Sequence, residues 1–201
     1  MPEVIVDDEP VEFNGPIPED PKIIFDLLFE ALAGERKSVL EYHVDGSDIL
    51  QLQDQNFPSH YDTIVAKSIS HAQLTLRLIE STLEISKNIV SELESYASRI
   101  LSNPWSIVFE KMQDFIDKVT PLVHLMDGMG PYATNYKPTW ADKFEKIQFS
   151  NKEAFELVLS GFEKGDVACL SEAIFDKLVP ITTESLIFLE DTVKKDLSSQ
   201  S

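Results

Sequence analysis

The sequence predicts a mainly α protein. A small α+β module over about residues 1–68 is followed by an antiparallel bundle of about four helices over residues 70–201. Three observations carry this. The stretch His71–Leu101 holds no glycine and no proline. Along it Ala72, Leu76, Ile79, Leu83, Ser86, Val90, Leu93, Ala97 and Ile100 recur by alternating steps of four and three, the spacing of one helix face. Similar stripes return downstream between breaks at Ser102-Asn103-Pro104, Asp127–Pro131 and Gly165. The N-terminal third instead alternates short β-branched runs with turn-forming clusters.

In chain order, Val4-Ile5-Val6 and Val11-Glu12-Phe13 flank Asp7-Asp8-Glu9-Pro10 and read as a hairpin. Asn14-Gly15-Pro16 ends it, and Pro16, Pro18 and Pro21 hold the next stretch extended. Asp20 is an N-cap, with Pro21 at the first helical position. Ile23, Ile24, Leu27, Leu28 and Leu32, joined by Phe25 and Phe29, form a helical stripe that Gly34 ends. Ser38–Val44 alternates as a strand, Asp45-Gly46 is a turn signal, and Ile49-Leu50 begins a short extended piece. Gln51–His60 is polar, contains Pro58 and reads as a loop. Tyr61–Ser68 is the last strand.

The segments IVDDEPVEF, FDLLFEALAG and SVLEYHVDGSDI, in that order, resemble a small β-grasp (ubiquitin-like) module. The resemblance covers about one third of the chain and rests on element order. Members of that group that act as sulfur carriers or modifiers end in an exposed Gly-Gly tail. Here the last strand runs into the long helix and the sequence ends DLSSQS, so no covalent-carrier role is implied. The competing reading is that these strands cover the end of the bundle.

Ser70-His71-Ala72-Gln73 has the form of a capping box opening the long helix. Asn103 and Pro104 are the expected N-cap and first residue of a second helix carrying Trp105, Val108, Met112, Phe115, Val119, Leu122 and Met126. The break is short, so the two helices are expected to be antiparallel neighbours. A third helix resumes at Thr139 with Trp140, Phe144 and Ile147, has a second capping box at Ser150–Glu153, and continues through Phe155, Val158, Leu159 and Phe162. Asp166 caps a fourth, whose stripe includes Leu170, Ile174, Leu178, Ile181, Leu189 and Val193. Pro121 and Pro180 fall inside helical patterns and are expected to kink them. Their contexts, FIDKVTP and FDKLVP, are similar enough to suggest a repeat of helical hairpins, with coincidence as the alternative.

The formal net charge is −18, from 35 acidic and 17 basic residues. It argues against a nucleic-acid backbone or an anionic membrane as partner and is compatible with a basic protein. No apolar run is long enough to span a bilayer, no secretory signal is visible at the N-terminus, and the cytoplasm is the expected location. With Cys169 the only cysteine, an internal disulfide and a cysteine-cluster metal site are excluded. His43, His60, His71 and His124 lack the Glu-x-x-His spacing of a di-iron bundle. No zincin, dinucleotide, phosphate-loop or nucleophile-elbow motif occurs. Cys169 is read as a small core residue and His124 as a hydrogen-bonded residue at the bundle's edge. No cofactor is expected.

The functional expectation is therefore a non-catalytic interaction module, an adaptor or chaperone-like binder of a basic or helical protein. The alternative is an enzyme or small-ligand binder with a site between module and bundle. Self-association through the coiled-coil-like rows of the first two helices is a further expectation. The candidate partner-binding residues are Met129, Tyr132, Tyr136 and Trp140, in a Gly/Pro-rich connection at 126–140 read as irregular. Bending at Pro121 is expected to open a groove near it. The competing reading packs these side chains over the open end of the bundle.

Overall fold

The structure, a computed structural model, describes residues 2–50 and 57–199. The chain divides into two compact units between Leu74 and Thr75. It is mainly α, with an α+β N-terminal part.

In the first unit, β1 (Glu3–Val6) and β2 (Glu9–Pro10) form a hairpin. Its turn is Asp7-Asp8 alone, with φ of 52° and 68°. A two-residue turn with both residues left-handed matches the twist of the strands, and Asp tolerates that region. The return strand is thus Glu9–Pro10, where Val11–Phe13 was expected. The Asp7 carboxylate accepts from the backbone N–H of Ser68 (2.8 Å) and from its hydroxyl (2.6 Å). Those bonds hold the Asp7 pKa below the usual carboxylate value.

Asp20 caps α1 (Pro21–Gly34) by accepting from the Lys22 N–H, with Pro21 in the first turn. Ile24, Leu28 and Leu32 are buried, while Ile23, Leu27 and Phe29 are exposed. Past the helix end the left-handed residue is Arg36, with φ of 61°. Two long strands follow, β3 (Lys37–Val44) and β5 (Thr63–Ser70), with β4 (Ser47–Asp48) between them. The β3–β4 turn is Asp45-Gly46, both at positive φ. Ile49 and Leu50 follow the paired residues of β4, and Ile49 is buried. Of the expected loop, residues 51–56 lie outside the described residues.

The sheet order is β2-β1-β5-β3-β4, with β1 and β5 parallel and the other pairs antiparallel. Val4, Ile24, Leu28, Tyr42, Val44, Ile64 and Ala66 belong to one core cluster. The hydroxyls of Tyr42 and Tyr61 donate to the carbonyls of Pro21 (2.6 Å) and Pro18 (2.9 Å). The proline run has few N–H donors of its own, and these bonds use its carbonyls instead.

The expected rod from His71 to Leu101 is two helices, α2 (His71–Ile85) and α3 (Ile89–Ile100), separated by Ser86-Lys87-Asn88. The break falls at the one polar position of the stripe. There Lys87 N–H reaches Glu84 and Ile89 N–H reaches Ser86, bonds one residue shorter than α-helical. Ser and Asn favour such departures because their side chains compete for backbone groups. Ser86 Oγ is buried with no hydrogen-bond partner among the described residues. The buried row is also offset in α2. Thr75, Ile79 and Thr82 are buried, while Leu78 and Ile85 are exposed.

The second helix is also interrupted. Pro104, expected as its first residue after an Asn103 cap, instead holds the N-cap position of α4 (Trp105–Glu110) with no side-chain capping bond, and α5 (Met112–Tyr136) follows. The largest departure lies in α5, which runs unbroken through Pro121, Gly128, Gly130 and Pro131 to end at left-handed Lys137. The 126–140 connection is therefore helical through Tyr136. Buried Met126, Met129 and Ala133 continue the helical stripe, so packing outweighs the low propensity of Gly and Pro.

After Lys137–Trp140, α6 (Ala141–Lys164) runs continuously through the capping-box sequence Ser150–Glu153. Asn151 does not cap there, and its amide donates to Ile147 O (3.1 Å) and Ser185 Oγ (2.9 Å). Gly165, with φ of 62°, terminates α6. Asp166 then caps α7 (Val167–Glu172), accepting from Ala168 and Cys169 N–H.

From Val167 the chain forms a rod to Ser199. Two π-helical segments, Ala173–Leu178 and Leu189–Val193, alternate with α8 (Val179–Phe188) and α9 (Lys194–Ser199). Their cause is visible in the spacing. Leu170, Ile174 and Leu178 are four apart, as are Leu189, Val193 and Leu197, and all six are fully buried. On an α-helix a step of four overshoots a full turn by about 40°. The wider π turn cancels that drift and keeps each row on the core. Pro180 lies just past the first π segment, so FIDKVTP and FDKLVP take different backbones. The rod and α6 touch where Gly161 meets Leu170. A Cβ on Gly161 would lie 2.8 Å from Leu170 Cα.

Candidate functional site

Among the depressions of the helical unit, two have largely apolar floors, and one end of the unit is closed by aromatic rings. The larger depression is a groove of about 770 Å³ between α5 and α6, lined from Met112 to Asp127 on one side and from Glu145 to Phe162 on the other. Buried Val119, Leu122, Met126, Val158 and Thr182 form its floor. Its walls include Ile116, Phe149 and Leu159, which are 39%, 62% and 57% exposed. Asp127, Glu145, Glu156 and Lys152 supply its charges. The groove arises because α6 carries two apolar rows. Phe144, Ile147, Ala154, Val158 and Gly161 are buried. Phe149, Phe155, Leu159 and Phe162 face the groove.

The second depression, about 650 Å³, lies between α3 and the α4–α5 segment. Ile89, Leu93, Ile100, Val108 and Phe115 are its buried apolar residues. The Tyr96 ring lies 5.0 Å from Phe115, and its hydroxyl donates to Val108 O at 3.3 Å. Burial, aided by the nearby Asp114 charge, pushes the Tyr96 phenol up to about 12, so it is neutral at ordinary pH. Phe115 belongs to both depressions.

The sequence-derived candidates sit at the aromatic end. Met129 and Trp140 are 2% and 3% exposed, and Tyr132 and Tyr136 are half-buried. Trp140 stacks on Tyr132 at 6.1 Å and 5°, and meets Phe144 and Phe188 edge-on at 6.1 Å each. Its indole N–H donates to Asp196 Oδ2 at 3.0 Å. The structure thus brings three of the four candidates into one ring cluster, Tyr132 also meeting Tyr136 at 4.6 Å. Little of their surface faces outward. His124 is exposed, and Cys169 is half-buried rather than enclosed.

Among the described residues no three His, Cys, Asp or Glu side chains gather as metal ligands would, and no helix is long and apolar enough to cross a membrane. Comparison with protein-family models, with curated proteins and with solved structures yields no match.

Proposed function

We propose that this chain is a non-catalytic interaction module whose helical unit takes a basic amphipathic helix of a partner protein into the α5–α6 groove. The single observation that carries this reading is the row of large apolar side chains left open along the groove. Phe149, Leu159 and Ile116 remain substantially exposed although each sits beside a buried floor. The lined part of α5, Met112–Asp127, is about 22 Å long at 1.5 Å per residue. That length suits a guest of about four turns, with anchors at i, i+3, i+4 and i+7.

Charge selects the guest. Three acidic side chains against one lysine line the groove, on a chain of net charge −18. A lysine-rich polar face is attracted to it, whereas a second copy of this chain is repelled. For the first unit we propose a β-grasp-like module. Its mixed order β2-β1-β5-β3-β4, with the parallel pair β1/β5 at the centre, supports that reading.

The test is fluorescence anisotropy with a labelled peptide of about 16 residues, leucines on one helical face and lysines on the other. The peptide is expected to bind. Phe149→Asp with Leu159→Asp should weaken it about tenfold or more, the usual scale for aromatic and aliphatic anchors, without unfolding the protein. A glutamate-faced peptide should bind at least tenfold more weakly. Equal binding to wild type and the double variant would defeat the groove assignment. Sedimentation of the wild type as a dimer that the double variant dissociates would replace the partner by a second copy.

A further inference from the structure

The depression between α3 and the α4–α5 segment has a different chemistry from the groove. Its floor is apolar, but Arg99, Lys111 and Lys118 stand around it, with the hydroxyls of Ser91 and Ser95. Two of the three cations are neutralised. Lys111 meets Asp114 at 3.4 Å and Lys118 meets Glu92 at 2.5 Å. Arg99 donates to the Ser95 hydroxyl at 2.6 Å and meets no carboxylate among the described residues. Arg99 thereby leaves the apolar floor with one cation that no carboxylate of the cleft neutralises.

The ordinary explanation is that Arg99 neutralises the negative end of α3, in whose last turn it sits. That end is already occupied. The Arg99 carbonyl accepts from the Asn103 side-chain amide at 2.7 Å and from Ser102 N–H at 3.1 Å, and Ile100 O accepts from Asn103 N–H.

We propose that this cleft binds a small amphipathic anion, a molecule with one carboxylate head and an apolar body. The head would meet the Arg99 guanidinium, whose planar fork matches a carboxylate. The body would lie over Leu93, Tyr96 and Val108. The volume of about 650 Å³ falls in the range of small-molecule sites, which combine an apolar lining with few placed polar groups. This site is separate from the groove proposed for a helix and stands on its own observations.

The test is titration of the full chain with sodium octanoate, followed by amide chemical shifts in a ¹H–¹⁵N spectrum. Octanol, with the same tail and no charge, is the comparison. Octanoate is expected to shift amides of α3 and of 107–118 saturably and to bind at least tenfold tighter than octanol. Arg99→Gln should weaken octanoate about tenfold and leave octanol unchanged. Arg99 is exposed, so folding should survive, and the spectrum itself reports it. Equal binding of octanoate and octanol, indifference to Arg99→Gln, or shifts confined to α5–α6 would each overturn the proposal.

Discussion

Trp140→Ala is expected to destabilise the helical unit by about 3–5 kcal/mol, the range for deleting a buried aromatic side chain. The ring is 3% exposed and is touched by Tyr132 from α5, Phe144 from α6 and Phe188 from the C-terminal rod. Three elements therefore lose a common neighbour, and none can collapse into the space without leaving the others. The indole hydrogen bond adds a smaller loss. Trp140→Phe keeps most of the ring contacts and removes that bond to Asp196, which should cost about 1–2 kcal/mol because the half-buried carboxylate can still meet water. Urea unfolding followed by circular dichroism measures both. In the same series, Tyr132→Ala with Tyr136→Ala should lower the melting temperature and leave the affinity for the lysine-faced peptide unchanged. Weakened binding without loss of stability would return the partner site to this end of the molecule.

Gly161→Ala is expected to destabilise by about 1–3 kcal/mol, against the helix-propensity trend. Inside a helix, alanine is better than glycine by roughly 0.5–1 kcal/mol. At Gly161 the new Cβ would meet Leu170 Cα at 2.8 Å, Leu170 Cβ at 3.0 Å and Leu170 N at 3.1 Å. Two of these are backbone atoms, which cannot swing aside, so α6 and α7 must separate. Overpacking of this kind typically costs 1–3 kcal/mol, and the clash wins. Gly128→Ala is the matched control. Gly128 is also inside a helix, but nothing lies within 4 Å of its added Cβ. There the propensity term acts alone, and stability should rise by about 0.5–1 kcal/mol. If both variants shift the same way, the close approach at Gly161 is not real.

Much of this architecture is legible from local signals. Asp20-Pro21 and Asp166 cap where their chemistry says, and Asp45-Gly46 turns where expected. What misled is the reading of Gly and Pro as stops. Gly128, Gly130 and Pro131 signal a loop only if the apolar stripe stops there. Met126, Met129 and Ala133 show that it does not. The opposite failure occurred at Ser86, where an uninterrupted stripe concealed a break. The groove had a signal too. Phe149, Phe155, Leu159 and Phe162 supply more apolar surface than one packed face of α6 can use. A helix with two apolar rows has more apolar surface than one packed face uses, and the second row of α6 lines the groove. The unpaired state of Arg99 has no sequence signal, because it depends on which acids fold beside it.

The π segments have a consequence for what lengths of chain this fold accepts. A π turn bonds each residue to the fifth rather than the fourth along, so each segment holds one residue more than an α-helix covering the same rise. Those two residues are surplus to the axis. Removing exposed Phe175 from the first segment would let the rod relax to plain α-helix with Leu189, Val193 and Leu197 still facing inward. Removing exposed Glu184 from α8 would instead rotate everything beyond it by about 100°, turning that row out of the core. Deletions at Phe175 and Glu184, in one continuous rod, therefore have opposite fates, and the rod can shorten by a residue only where it is already underwound.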